Sequence, residues 1–385
     1  MLWDAWQNKS ADEVIALCRD LVEDTDFPTV KKWKRAGGKV VGHFQVYFPE
    51  EIAHAAGMLP VKLRGSQVDR KRADAHFGSY ICSIPRSSLE LCLSKTLDLD
   101  MFVTHPICDV ARNLAGIWAR NFKYPAQILY LPQNANSKYS ARYLRDEYAR
   151  LARELETIAG RAITTDSLAN SIRVFNENRR WMRKLYEIKR ETPWLLPIDE
   201  AFVLVSVGAL IPREEHNALL AHVVPQIEKR DAKKQDKIRV VFEGGFCELP
   251  PLDLLRVISQ SCYVVDDDLH IGLRWILEDV AMDGDALLNL ADAYLNKSSY
   301  SPVQHDLRKP KEKMLLQRLQ GAHAQAAIVT AAKMCEPGLD EQVAYSKTFD
   351  AHNIPYFISE FEEKMTGFDH MQMQLETFVE SILFE

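Results

Sequence analysis

The cysteines are the residues of this sequence best suited to bind a metal or to form a reactive site. Seven are present, an odd number, and no two of them form a C-x-x-C pair. The sequence therefore predicts neither a disulfide framework nor a zinc ribbon or thioredoxin-like site. Any thiolate metal site has to be assembled by the fold from distant positions, which are Cys18, Cys82, Cys92, Cys108, Cys247, Cys262 and Cys335.

Four of the cysteines lie in predicted loops beside helices. Cys108, Cys247 and Cys335 follow the predicted strands MFVTHP, RVVFEGG and AAIVTAA, and Cys82 directly precedes the helix SSLELCLSKTL. Open α/β sheets bind ligands beyond the carboxyl ends of their strands. Helix N-termini also lower the pKa of a thiol, and the thiolate is the form that binds metals. The pattern favours a thiolate metal site, but spacing alone does not separate iron–sulfur from zinc. A buried thiol is the alternative at each position.

The other three cysteines are typical of an apolar interior. Cys18 and Cys92 fall within predicted helices, and Cys262 opens a predicted strand. We expect them to be small buried hydrophobic side chains.

Two stretches of the chain alternate strands with helices, which predicts layered, mostly parallel α/β structure. Charged segments with helical spacing separate the two stretches. The predicted fold class is α/β, with two flavodoxin-like or Rossmann-like parallel-sheet domains, helical segments, and the metal site at the carboxyl ends of the strands between the domains. The predicted divisions are an N-terminal helical segment (1–34), a first α/β domain (35–139), a helical segment (140–237) and a second α/β domain (238–385).

Composition restricts the function further. The formal net charge of -6 argues against a general nucleic-acid binder, which needs a basic surface. No apolar run approaches the roughly 18–20 residues that cross a bilayer. The N-terminus has no basic region followed by an apolar stretch, so no signal peptide is expected. We therefore expect a cytoplasmic protein that binds neither nucleic acid nor membrane.

Seven motifs follow one another in an order that resembles a known family. Each is weak alone, but the series is specific and extends from about residue 35 to the C-terminus. It resembles the benzoyl-CoA reductase and 2-hydroxyacyl-CoA dehydratase family. GFCELPP followed by VVDDD is most similar to the B/C-type subunits of ATP-dependent class I benzoyl-CoA reductases, and the chain length favours the C (gamma) type. The motifs are FPEEIAHAAGMLPVKLRG, SYICSIPRSSLELCL, HPICDVARNL, GGFCELPPLDLLRVI, VVDDDLHIG, KMCEPGLDEQ and IPYFISEFEEKM.

The resemblance implies a [4Fe-4S] cluster bound by three cysteines, two from the first α/β half and one from the second. By motif these are Cys82, Cys108 and Cys335. Three thiolates would leave one iron without a protein ligand. Cys247 is either a fourth ligand or a buried thiol beside the cluster, and the sequence does not decide between them.

The resemblance also implies a reaction and partners. The expected reaction is reduction of the aromatic ring of benzoyl-CoA to a cyclic diene thioester, in anaerobic aromatic degradation. The expected partners are a homologous reductase subunit that shares the substrate interface, and ATP-hydrolysing activator subunits with a bridging iron–sulfur cluster. Ferredoxin would be the upstream donor, and MgATP would be used by the activators. The alternatives are a 2-hydroxyacyl-CoA dehydratase subunit, a non-catalytic electron-relay subunit and a zinc-binding structural protein.

Two polar residues near the cysteines are candidates for catalysis. His105 could donate a proton to the reduced ring or bond a cluster sulfur, or be a loop histidine satisfied by the backbone. Glu248 follows Cys247 in the GFCELPP motif. The run Asp266–Asp268 ends a predicted strand and is more typical of a cap or a solvated turn than of catalysis.

Overall fold

The first half of the chain forms a parallel four-stranded sheet, here called sheet A. The computed structural model describes residues 3–44, 47–244, 249–269, 275–300, 306–362, 365 and 367–384. Sheet A has the strand order β2-β1-β3-β4. Its elements are α1 (Ala11–Glu23), α2 (Pro28–Arg35), β1 (Lys39–Phe44), α3 (Glu50–Ala55), β2 (Met58–Leu63), α4 (Ser83–Leu93), β3 (Met101–Thr104), α5 (Asp109–Asn121) and β4 (Ala126–Ile128).

Helices fill the middle of the chain and separate the two sheets in sequence. The longest of them, α7, buries thirteen side chains and packs against α9, α3 and the second sheet. The exposed run 231–236 then leads back into strand structure. The four helices are α6 (Ser140–Ala159), α7 (Thr165–Glu191), α8 (Ile198–Ser206) and α9 (Arg213–Ile227).

The second half repeats the first architecture as sheet B. Its strand order is β6-β5-β7-β8, again all parallel, so the predicted α/β fold with two sheets is confirmed. Residues of β7 are all buried, as expected of a strand covered on both faces. The elements are β5 (Ile238–Glu243), α10 (Leu252–Ser261), β6 (Cys262–Asp267), α11 (Ala286–Asn296), α12 (Lys311–Gly321), β7 (Ala326–Ala332), α13 (Glu336–His352), β8 (Tyr356–Phe361) and α14 (Asp369–Leu383).

Both sheets reverse their strand order at the same place. The chain crosses from β1 to β2 on one side and then returns to place β3 on the other side of β1. In sheet B the same reversal occurs between β5 and β7. The crevice at such a reversal, beyond the carboxyl ends of the strands, is where open α/β sheets bind ligands. The loops after β3 and β7, which carry Cys108 and Cys335, therefore occupy equivalent positions.

Strand β2 was not among the predicted strands. It contains Pro60, which has no N–H to donate to a ladder and is normally confined to edge strands. Here β2 is the edge strand of sheet A, paired only with β1 among the described strands. Within the described ranges, no helix is both long and apolar enough to span a membrane.

The end of β5 is held tightly against β7. Gly244 has a φ of 109°, and a Cβ added there would lie 1.9 Å from the backbone oxygen of Thr330. We expect Gly244→Ala to lower the free energy of unfolding by about 3 kcal/mol, because backbone strain and steric overlap add.

Urea unfolding would measure this cost, with Gly160→Ala as the matched control. Gly160 also has a positive φ, 63°, but nothing lies within 4 Å of the added Cβ. The free energy of unfolding of the control should fall by about 1 kcal/mol, from backbone strain alone. Equal losses for the two variants would show that the contact with β7 is not tight.

Candidate metal centre

Three helices begin at the three predicted cluster cysteines. Cys82 is the N-cap of α4, Cys108 the N-cap of α5 and Cys335 the N-cap of α13. The first turn of a helix presents backbone N–H groups without intrahelical partners and the positive end of the helix dipole. Each of the three thiols therefore stands where a negative sulfur is favoured.

The same three thiols line one cavity of about 480 Å³. Cys82 and Cys108 are half-buried, and Cys335 is buried. Two of the thiols come from loops of sheet A and the third from the loop after β7 of sheet B. The fold thus brings together residues far apart in sequence, at the carboxyl-end position that the sequence predicts.

The Cys108 thiol is affected by its burial, by a backbone donor and by Cys335. The backbone N–H of Ala111 donates to the Cys108 Sγ at 3.5 Å. Burial nevertheless raises the pKa of the Cys108 thiol, the Ala111 bond opposes that rise, and the neighbouring Cys335 thiolate raises the pKa again. The expectation of a lowered thiol pKa is therefore wrong at this position, because burial outweighs the helix terminus.

The wall of the cavity is apolar with an acidic edge. Asp109 and Glu336, each directly after a cysteine, are exposed carboxylates in the lining. Tyr80 and Met334 are large apolar side chains left 73% and 50% exposed at the same cavity. Among the described residues of the wall, none is lysine or arginine. Sequence reasoning missed these four, although each lies within two residues of a predicted ligand.

In the described part of the chain, no group of three or more histidine, cysteine or acidic side chains is close enough to hold a single metal ion. A single zinc ion needs all its ligand atoms about 2.0–2.3 Å from one point. In an iron–sulfur cluster the thiolates bind different irons, so the sulfurs line a volume instead. The placement of Cys82, Cys108 and Cys335 around a cavity fits the second geometry.

The remaining described cysteines are buried, as predicted. Cys18, Cys92 and Cys262 are at most 4% exposed. Burial raises the pKa of the Cys92 and Cys262 thiols to about 12, so these groups remain neutral. Cys247 and Glu248, the candidate fourth ligand and candidate catalytic acid, lie outside the described residues.

His105 lies away from the cavity wall. Its side chain is fully buried, and its Nδ1 is 3.1 Å from the backbone oxygen of Leu129. Burial, with His43 nearby, lowers the pKa of His105 to about 3. The ring is therefore neutral at physiological pH. Its contact is with the backbone, which is the alternative that the sequence left open, and a catalytic role for it stays a prediction.

The run Asp266–Asp268 is buried and not a solvated turn. Asp267 pairs with Lys189 and accepts from the Tyr186 hydroxyl at 2.7 Å. Asp268 accepts the backbone N–H of Gly244 at 2.8 Å. Cationic side chains from helices distant in sequence compensate the charge of this run. The local sequence pattern does not predict them.

Comparison with known proteins shows the family of the chain. The family model described as 2-hydroxyglutaryl-CoA dehydratase, D-component, matches residues 45–382. The chain belongs to this family. The predicted membership in the family of benzoyl-CoA reductases and 2-hydroxyacyl-CoA dehydratases is thereby confirmed.

Within the 2-hydroxyglutaryl-CoA dehydratase D-component family, three relatives show the range of named activities. The C subunit of benzoyl-CoA reductase from Thauera aromatica is 37% identical, over 97% of this chain and 99% of its own length, which confirms the predicted C-type likeness. The beta subunit of lactoyl-CoA dehydratase from Anaerotignum propionicum is 27% identical, over 91% and 94%. The beta subunit of (R)-2-hydroxyglutaryl-CoA dehydratase from Acidaminococcus fermentans is 26% identical, over the same shares.

Proposed function

We propose that this chain is the iron–sulfur subunit, of C type, of an ATP-dependent benzoyl-CoA reductase. The assembly would reduce the aromatic ring of benzoyl-CoA to a cyclohexadiene thioester in the cytoplasm of an anaerobic cell. The single observation that carries the proposal is the convergence of Cys82, Cys108 and Cys335 on one cavity. That observation is made in a chain 37% identical, over nearly its whole length, to a benzoyl-CoA reductase subunit.

Cys82, Cys108 and Cys335 are the residues that would hold a [4Fe-4S] cluster. The donor set suits it, since three thiols stand at three helix N-termini around one cavity. When bound, the cluster supplies one-electron transfer at low potential. Cys247 remains the candidate for a fourth ligand or for a thiol beside the cluster.

The wall residues set the electrostatics of that cavity. Asp109 and Glu336 place negative charge at its edge, without a lysine or arginine among the described lining residues. Negative surroundings disfavour the arrival of an electron and so lower a reduction potential. Ile84 and Ile117 add apolar surface that excludes water from the wall. A strongly reducing site, which an aromatic ring requires, benefits from both effects.

Partner subunits would complete the enzyme. The described wall offers no lysine or arginine for the phosphates of CoA, which supports a homologous reductase subunit that holds this part of the substrate. Exposed Tyr80 and Met334 beside the thiols belong to types enriched at protein interfaces. We further propose ATP-hydrolysing activator subunits with a bridging cluster, which use MgATP and take electrons from ferredoxin.

A strictly anaerobic assay tests the proposal. The chain would be co-produced with its homologous partner and activator subunits, and supplied with benzoyl-CoA, MgATP and a strong reductant. We expect a cyclic diene thioester to form with stoichiometric ATP hydrolysis. Intact cluster with no ring reduction would overturn the assignment.

The relatives that are dehydratase subunits support a second candidate function, elimination of water from a 2-hydroxyacyl-CoA. The same assembly would be given a 2-hydroxyacyl-CoA, and formation of the enoyl thioester without ring reduction would move the assignment to the dehydratases. A third reading is an electron relay, with the substrate on the homologous partner. A cluster with protein ligands on all four irons, detected spectroscopically, would favour the relay.

A further inference from the structure

A buried hydrogen-bonded chain of two carboxyl groups and two phenols joins the end of β5 to α13, the helix that begins at Cys335. The Tyr300 hydroxyl bonds to the carboxyl of Glu243. The hydroxyls of Tyr300 and Tyr345 are 3.2 Å apart, and the Tyr345 hydroxyl is 3.2 Å from Oε2 of Glu341. None of the four side chains is more than 3% exposed. They form three consecutive hydrogen-bonded links with a carboxyl group at each end.

Three hydrogen-bonded links need one hydrogen more than the two phenols supply. Each phenol has one hydrogen to donate, so Tyr300 and Tyr345 supply two of the three links. The third link needs a hydrogen on Glu243 or on Glu341. The hydrogen can come from either carboxyl, because reversing the direction of all three bonds moves the proton from one end to the other. Each end also faces a cation, Arg318 at Glu243 and Lys311 at Glu341. A proton can move along a hydrogen-bonded chain when the same bonds can form in either direction.

Electrostatics keep the proton available at both ends. Burial raises the pKa of Glu243 well above its usual value; Arg318 opposes this and Asp268 reinforces it. Burial raises the pKa of Glu341 to about 7, and Lys311, whose Nζ is 2.8 Å from Oε1, opposes the rise. The pKa of each phenol is raised well above its usual value, so the phenols pass protons without ionising.

The two ends of this hydrogen-bonded chain lie at places that suit proton transfer. Glu243 is the last residue of β5, at the strand reversal of sheet B, and pairs with Val329 of β7. Glu341 is on α13, the helix that begins at Cys335. Its other contact, Lys311, has a side chain 22% exposed. The chain thus runs from a partly exposed amine to the carboxyl edge where the ligand cavity of such sheets is found.

We propose that Glu243, Tyr300, Tyr345 and Glu341 form a proton relay that carries protons from solvent at Lys311 to the carboxyl edge of sheet B. The inference rests on the proposed function, in which the ring takes up two electrons and two protons. Each proton that leaves Glu243 is replaced by one from Glu341 through the two phenols, and Glu341 is then reprotonated from solvent. No bond other than these O–H bonds is made or broken in the relay itself.

Infrared titration of the purified chain tests the relay without substrate or partners. Protonated and ionised carboxyls absorb separately, so we expect a buried carboxylic acid signal with a midpoint of about pH 7 that Glu341→Gln removes. Tyr345→Phe removes the donor to the Glu341 carboxylate and should raise that midpoint by about one pH unit. Tyr356→Phe is the matched control, since the Tyr356 hydroxyl bonds to exposed Asp350, and it should leave the midpoint unchanged.

An unchanged midpoint in Tyr345→Phe would overturn the relay, because the phenol and the carboxyl would then be uncoupled. In the assembled enzyme, Tyr345→Phe should lower kcat by about 10-fold or more and increase the solvent isotope effect, with KM and iron content unchanged. The relay would also be overturned if the wild-type assembly is active and the Tyr345→Phe assembly has the same kinetics. Absence of ring reduction by the wild-type assembly, with the infrared coupling present, would instead overturn the proposed function and support the relay.

Discussion

We expect Cys335→Ser to leave the chain without a bound cluster and the assembly without ring reduction. Cys335 is the thiol that sheet B contributes to the cavity, while Cys82 and Cys108 come from sheet A. Two thiolates from one sheet leave the cluster attached on one side only. We expect iron and sulfide bound by the chain to fall to background and benzoyl-CoA reduction to fall at least about 100-fold. Cys82→Ser and Cys108→Ser should behave alike.

Cys262→Ala is the matched control for these variants. Cys262 is equally buried but opens β6, and it does not line the cavity. This variant should keep its full iron content and activity and lose only about 1 kcal/mol of unfolding free energy. Iron analysis, electron paramagnetic resonance and the anaerobic assay would be run on all four proteins. A Cys335→Ser protein with full iron and turnover would remove Cys335 from the ligand set.

Lys189→Met destabilises the fold by about 3–5 kcal/mol, the cost of leaving a buried charge without its partner. Lys189 and Asp267 form an ion pair in which neither side chain is exposed, and it joins α7 to the end of β6. Asp267 would retain the Tyr186 hydroxyl and the Leu269 N–H, which satisfy hydrogen bonds but do not balance the charge. Chemical unfolding followed by circular dichroism would measure the loss.

The same helix offers a matched control. Lys184 of α7 pairs with Glu187 and Glu228 at the surface, with its side chain 38% exposed. Lys184→Met should change the unfolding free energy by less than about 1 kcal/mol. The double variant Lys189→Met with Asp267→Asn should recover part of the stability, since the uncompensated charge is gone. Equal losses for the variants at 184 and 189 would show that the buried pair is unimportant.

The cysteine positions could be predicted because the signal is local. A cysteine in the short loop between the end of a strand and the start of a helix lies at a carboxyl edge, whatever the rest of the fold does. Cys108 and Cys335 both satisfy that rule in the structure. Which sulfurs share a cavity depends on how the two sheets face each other. Only the family resemblance supplied that pairing in advance.

Other features depend on contacts between distant segments and were not predictable. The proline in MLPVKL is compatible with an edge strand, but the pairing with β1 that makes this run a strand is not visible in the run itself. Asp266–Asp268 look solvated until Lys189 and Arg318 are placed against them. Glu243 is on β5 and Glu341 is on α13, and two tyrosines join them. In each case the contact that determines the structural role of the residue comes from another helix or strand.

Loops of both sheets line the cavity, and this has a consequence for folding. A group bound to all three thiols would tie two separately built halves together at a point, as a cross-link does. It would thereby restrict the unfolded chain over the long stretch between Cys108 and Cys335, and more so the longer the loop it closes. Insertion of the group and closure of the two halves are then one equilibrium. Binding of the group would therefore add to the stability of the packing between the two halves, which share one hydrophobic core.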